Sequence, residues 1–361
     1  MINVTKAYIP PINEYVGYLE GVWERGWLTN NGPLVQQLES DLRAYLDGSP
    51  VQFLSNGTIA LQIAIKALEL TGEIITTPFS YVATTTAIIW ENCQPVFVDI
   101  EDRTFCIDAA KIEAAITPRT TAILATHVYG YPCDVLAIEA IAKRYNLKVI
   151  YDGAHAFGVR LHGRPLLNFG DLATCSFHAT KLFHTVEGGC IVAQNEELNK
   201  KISLYKSFGH IGDEYFSLGV NGKNSELHAA MGLCNLPRVA GFIAARRELA
   251  ILYKQELDGL PLRYPQPDES GLEYNYAYFP VVFASEEKMQ QVKELLAKNK
   301  INTRRYFFPS LNNLPYVQGT TCLVSEDISS RVLCLPFYQE LEQSNVRHIC
   351  SIIRQAILAI A

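Results

Sequence analysis

At 361 residues, with 48% hydrophobic and 19% charged residues, the chain is too long for one small core and suits two well-buried domains. A net charge of −6 with no block of like charges offers no basic surface for nucleic acid. No apolar run approaches the roughly 18 residues needed to span a bilayer, so no membrane partner is expected.

The N-terminal stretch MINVTKAYIPPINEYV has neither a basic start nor an apolar segment and does not read as a signal peptide. Nine cysteines are scattered singly, at 93, 106, 133, 175, 190, 234, 322, 334 and 350, with no CxxC pair. They read as free buried thiols of a reducing compartment, so a cytoplasmic protein without a metal site is expected.

From about residue 50 to 195, short β-rich runs alternate with helical ones. PVQFLS (50–55) reads as a strand, and the helix over 58–70 repeats its apolar residues at Ile59, Ile63, Ala67 and Leu70. EIITTP, QPVFVDI, TAILATH, LKVIYD, LATCSFH and GCIVAQ continue the strand series, with a helix over 134–146 (DVLAIEAIAKRYN) between two of them. This alternation predicts a mostly parallel sheet covered on both faces. Ligands on such sheets collect beyond the C-terminal ends of the strands, which directs attention to residues 55–58, 77–81, 126–129, 152–155 and 176–181. After about residue 235 the pattern changes. A long helix (238–257) is followed by a Pro-rich connector, LPLRYPQPDES. AYFPVVF, a helix at 285–299, NTRRYFF, RVLCLPF and a last helix at 343–360 then form an α+β unit. The expected division is a large α/β domain (1–235) and a small C-terminal α+β domain (236–361).

Three motifs at strand ends carry chemistry. Ser55-Asn56-Gly57-Thr58 opens a helix, where free N–H groups and the helix dipole attract phosphate; the same residue types also cap helices routinely. Tyr151-Asp152-Gly153-Ala154-His155 places an acid beside small residues. Against a pyridine ring, that carboxylate keeps the ring nitrogen protonated. Ser176-Phe177-His178-Ala179-Thr180-Lys181 puts a lysine where little other charge surrounds it. Desolvation or a neighbouring cation would lower its pKa and free the amine for imine formation. Ser176 is near enough to share a phosphate with Gly57 and Thr58, and the Gly188-Gly189 pair permits a tight turn before the next strand.

Phosphate cradle, acid and lysine, in that order and each at a strand end, is the arrangement of fold-type-I pyridoxal-phosphate (PLP) enzymes. Over nearly its whole length the chain resembles the DegT-type sugar aminotransferases. The matching segments are GWLTNNGPLVQQLE (26–39), SNGTIAL (55–61), TTPFSYVATTTAI (76–88), PVFVDI (95–100), HVYGYPCD (127–134), DGAHAFG (152–158), SFHATKLFHTVEGG (176–189) and GVNGKNSELHAAMG (219–232). The resemblance implies a mostly parallel seven-stranded sheet between helices, with a smaller C-terminal domain. Lys181 is then the Schiff-base lysine and proton shuttle, Asp152 the partner of the pyridinium nitrogen, and His155 a neighbour of the ring near its hydroxyl side. Tyr81 stacks on the ring, and Gly57, Thr58 and Ser176 bind the phosphate. Family dimers complete that site with a loop of the second subunit, here Gly219 to Asn224, with Asn221 and Lys223 as candidates. Asn56 departs from the family, in which a Ser is common.

The reaction implied is ping-pong: glutamate leaves its amino group on PLP, giving pyridoxamine phosphate and 2-oxoglutarate, and a nucleotide-linked keto sugar then accepts it. NTRRYFFPSLNNLPY (302–316) resembles members that aminate dTDP-4-keto-6-deoxyglucose, which implies dTDP-4-amino-4,6-dideoxyglucose as product. Thr29, His184, Arg304 and Arg305 are candidates for the substrate; the arginine pair reads equally as a basic strand edge. A 3-keto sugar aminotransferase shares every motif, and a non-catalytic PLP-binding regulator is a further alternative. A dehydratase of the family would carry His in place of Lys181.

Overall fold

Seven strands form the central sheet of the computed structural model, which describes residues 1–358. They are β1 (Val51–Leu54), β2 (Glu73–Thr76), β3 (Gln94–Phe97), β4 (Thr120–Thr126), β5 (Lys148–Asp152), β6 (Leu172–Ser176) and β7 (Gly189–Ala193). Their order is β1-β7-β6-β5-β4-β2-β3. β7 runs antiparallel to both neighbours, and the other pairings are parallel. The mostly parallel sheet and all seven strand runs therefore stand as read from the sequence.

The strands are buried on both faces, and their alternation sorts side chains between two cores. Ile75, Ile123, Ala125, Val149, Ala173 and Val192 face one. Ile74, Ala122, Leu124, Ile150, Leu172 and Ile191 face the other, against the apolar side of α1 (Gly57–Ala67) and Ile88 of α2 (Val82–Trp90). Helix starts are set by short polar caps. Asn56 Oδ1 accepts the Ile59 N–H at 2.8 Å to open α1, and Asp134 Oδ1 accepts the Ala137 N–H at 3.0 Å to open α3 (Val135–Tyr145). Asn56 thus spends its side chain on its own helix.

A third cluster joins Leu249 and Tyr253 of α4 (Val239–Glu256) to Met289, Val292 and Leu296 of α5 (Glu286–Lys298). Val346, Ile349 and Ile353 of α6 (Gln343–Leu358) complete it; positions 359–360 of the expected last helix lie outside the described residues. β8 (Pro280–Val282) pairs antiparallel with β9 (Val332–Cys334). The Pro-rich connector is not free chain, since Arg263 and Val282 exchange two backbone hydrogen bonds of 2.9 Å. NTRRYFF does not form a strand. It makes an isolated bridge, Arg304 to Cys334, because its Phe307 ring is drawn into packing with Tyr129 and His155 and its Tyr306 ring with Tyr278. All nine cysteines are buried and free.

Candidate active site

The C-terminal ends of β1, β5 and β6 converge on a cavity of about 380 Å³. Gly57, Thr58, Tyr81, Asp152, His155, Ser176, Lys181 and Arg304 all line it. Residues 126–129 do not, because they lie buried beneath.

At one side is the start of α1. The Ile59 N–H is taken by Asn56, while those of Gly57 and Thr58 have no partner among the described residues and open on the cavity. Ser176 Oγ accepts the His178 N–H at 3.4 Å, which leaves the hydroxyl hydrogen free to donate. A Cβ at position 57 would stand 2.9 Å from the Ser176 Cβ, so only glycine lets the two strand ends approach this closely. The same reasoning replaces the expected turn at Gly188-Gly189. Neither residue has positive φ, and a Cβ on Gly189 would meet the Asn56 carbonyl carbon at 2.6 Å. These glycines serve close packing.

Asp152, 5% exposed, ends β5. Its Oδ2 accepts the Thr84 hydroxyl at 2.7 Å and its Oδ1 the Ala154 N–H at 3.0 Å. Behind Thr84 lie Ser80 at 2.8 Å and Thr126, whose hydroxyl donates to Ser80 at 3.1 Å. A carboxylate only accepts, so Thr84 must donate its hydrogen bond to Asp152, Ser80 must donate to Thr84, and the chain of buried hydroxyls has one direction. Burial raises the Asp152 carboxyl above its ordinary value, although Thr84, Ala154 and the Lys181 charge pull the other way. A buried carboxylate with so few donors suits a cationic occupant.

His155 is equally buried, and burial, then the Lys181 charge, holds it well below the usual histidine range. Its Nδ1 accepts the Tyr129 N–H at 3.2 Å, so the neutral ring carries its proton on Nε2. Tyr129 presents that N–H from a left-handed backbone (φ 56), rare for a bulky residue. Lys181 is half-buried in a loop tied across itself by Ala179 N–H to Val186 O (2.7 Å) and Thr185 N–H to Phe177 O (2.9 Å). Its Nζ donates to the Tyr278 hydroxyl at 3.2 Å. Burial pulls this ammonium down, but Tyr278, Asp152 and Tyr306 together outweigh it and hold it above the ordinary lysine value. The depression expected from the sequence is opposed here, since a hydrogen-bonded phenol and a nearby carboxylate, rather than a second cation, stand beside the amine and favour its charged form.

Tyr81, 57% exposed, presents a ring to the cavity. Other candidates lie elsewhere. His184 is buried and bonds through Nε2 to the Tyr8 carbonyl at 2.7 Å. Arg305 pairs with Glu286 at 3.0 Å and donates to the Ser330 carbonyl at 2.6 Å. Thr29 is exposed on the loop before the helix Pro33–Tyr45. Asn221 is exposed, and Lys223 Nζ sits 4.6 Å from the Phe208 ring centre. Neither lines the cavity of its own chain. The sequence reading missed Thr84, Tyr278, Tyr306 and Phe307. Thr84 was findable, one turn after Tyr81 on a helix; the others come from 97 or more residues beyond Lys181 and leave no local signal.

The DegT/DnrJ/EryC1/StrS aminotransferase family model matches residues 12–354. A dTDP-4-amino-4,6-dideoxy-D-glucose transaminase of Shigella dysenteriae is 42% identical over 98% of both chains. Among solved structures, DesI in the presence of its TDP-sugar product superimposes with a TM-score of 0.94 at 30% identity, covering 99% of this chain and 93% of that one. NtdA from Bacillus subtilis with bound cofactor PMP gives 0.86 at 31% identity, covering 95% and 82%. A match over this span, with lysine, carboxylate and helix start around one cavity, settles the kinship: the chain belongs to the DegT/DnrJ/EryC1/StrS aminotransferase family.

Proposed function

We propose that the chain is a PLP-dependent aminotransferase that converts dTDP-4-keto-6-deoxyglucose to dTDP-4-amino-4,6-dideoxyglucose with glutamate as amino donor. The observation that carries this is the meeting of Lys181, Asp152 and the unpaired N–H groups of α1 in one cavity. Lysine, acid and anion cradle match an aldehyde, a ring nitrogen and a phosphate. The nearby relatives, named for a dTDP-4-amino sugar and a TDP-sugar product, support the substrate.

When bound, PLP supplies a carbonyl that condenses with amines and a ring that draws electrons from the carbon bearing the transferred amino group. Gly57, Thr58 and Ser176 would hold its phosphate. Asp152 would keep a proton on the ring nitrogen, with Thr84 fixing the carboxylate. His155, neutral and protonated on Nε2, would donate beside the ring hydroxyl, and Tyr81 would cover one face. Lys181 would anchor the cofactor, then take the proton from the Cα of glutamate and later return one to C4 of the sugar. Asn221 and Lys223, which do not line the cavity of their own chain, are assigned to the phosphate site of a second copy in a homodimer. Arg304, on the cavity wall, is the residue placed to meet an anionic part of a substrate.

The test is to incubate protein, PLP, glutamate and dTDP-4-keto-6-deoxyglucose and weigh the product. The expected mass is that of the ketone with its oxygen replaced by an amino group and a hydrogen, together with one 2-oxoglutarate. Unchanged ketone overturns the substrate assignment.

A further inference from the structure

Tyr278 reaches Lys181 from a segment fastened on both sides. Asn275, 1% exposed, donates from Nδ2 to the carbonyls of His155 and Phe157, both at 2.8 Å, and its Oδ1 accepts the Ala277 N–H at 3.1 Å. On the opposite side Arg246 of α4, 2% exposed, donates from Nη1 to the Ala277 carbonyl at 2.9 Å. Its other acceptors within reach are the Tyr276 carbonyl at 3.5 Å and Gln339 Oε1, and it has no carboxylate partner among the described residues. A buried guanidinium without a counter-ion is costly. Its contact is with the backbone on which Tyr278 stands. The Tyr278 ring is further held edge-on by His155 (5.0 Å, 78°) and Tyr306 (5.6 Å, 79°). The hydroxyl is therefore a fixed point, 3.2 Å from the Lys181 amine.

We propose that Tyr278 is a positioning residue for amino transfer: clamped by Asn275 and Arg246, its hydroxyl holds the Lys181 amine in place whenever that amine is not bonded to cofactor. It thereby sets the pH at which Lys181 can take up a proton. The use made of the amine rests on the proposed function; the contact and its effect on the amine belong to the chain alone. Besides Tyr278, the titratable groups that act on this amine or feel its charge are Asp152, Tyr306, His155 and Cys175. Arg304 stands on the cavity wall, and His178 and Glu187 pair with each other at 3.5 Å.

The experiment is competitive acetylation of the cofactor-free protein across a pH series, with the Lys181 peptide quantified by mass spectrometry. Tyr278→Phe keeps the ring and is expected to lower the Lys181 labelling midpoint by about one pH unit while other lysines stay put. Tyr306→Phe, which removes no hydrogen bond to the amine, should move it less. Asn275→Ser, which loosens the clamp and touches neither hydroxyl nor amine, should shift it in the same direction as Tyr278→Phe but by less. An unchanged midpoint in Tyr278→Phe, or an equal shift in Tyr306→Phe, overturns the proposal; no shift in Asn275→Ser overturns the clamp. A protein that transfers no amino group would defeat the proposed function without touching these midpoints.

Discussion

Thr84 donates its hydroxyl hydrogen to Asp152 Oδ2 at 2.7 Å, and with that bond α2 fixes the orientation of the acid at the end of β5. Removing the donor while keeping the shape, in Thr84→Val, leaves a buried carboxylate short of one partner. A hydrogen bond to a charged group is worth about 1.5–3 kcal/mol, so kcat should fall about ten-fold or more. The Asp152 carboxyl, already raised by burial, should rise further, moving the acid limb of the pH–rate profile to higher pH. An unchanged limb would remove Thr84 from this role.

Asp152→Asn separates stability from function. A carboxyl raised in the folded state opposes folding at neutral pH, because the unfolded chain ionises it more readily. The amide variant should therefore melt at the same temperature as the parent or higher, with turnover severely reduced because the ring nitrogen loses its anionic partner. Loss of thermal stability together with near-normal turnover would contradict both halves.

Two buried neutral histidines give the cofactor-free protein an acid-sensitive fold. His155 is held well below its usual range, and burial lowers His127 to about 3. Unfolded, each would take a proton near pH 6.5. Their stabilising effect is complete above that pH and is lost as pH falls toward the folded values. Between pH 7 and pH 5 His127 should cost about 2 kcal/mol, at 1.36 kcal/mol per pH unit below the unfolded value, and His155 should act in the same direction. The measurement is the urea midpoint at both pH values, and His127→Gln should reduce the difference while His155 maintains the rest. A midpoint independent of pH would show that these rings already accept protons in the folded state.

Gly57→Ala introduces a Cβ 2.9 Å from the Ser176 Cβ, at a backbone conformation any residue adopts. The strand ends must part, and the N–H groups of Gly57 and Thr58 shift relative to Ser176. PLP affinity in equilibrium dialysis should weaken about ten-fold, the cost of roughly one hydrogen bond to a charged oxygen. An unaltered affinity would place the phosphate elsewhere.

The strands and the site residues at their ends were legible in the sequence for one reason. Each is declared locally: LKVIYD by its apolar run, Asp152 by following that run, Gly57 by opening a helix. NTRRYFF misled because its β-rich composition answers to the packing of Phe307 with Tyr129 and His155, and of Tyr306 with Tyr278, rather than to a sheet. The Lys181 pKa was misjudged for a similar reason, since Tyr278 and Tyr306 arrive from the C-terminal part of the chain. Arg305 and His184 resembled ligand-binding groups, yet they meet Glu286, the Ser330 carbonyl and the Tyr8 carbonyl. Nothing within a few residues of either announces those partners.

Borohydride reduction of the PLP-loaded protein, followed by peptide mass mapping, asks most directly whether Lys181 is the amine that anchors the cofactor. The pyridoxyl group is expected on the peptide containing Lys181, and no label should survive in Lys181→Ala, whose circular dichroism should match the parent's. A stable label on another lysine, or labelling that persists in the alanine variant, would contradict it.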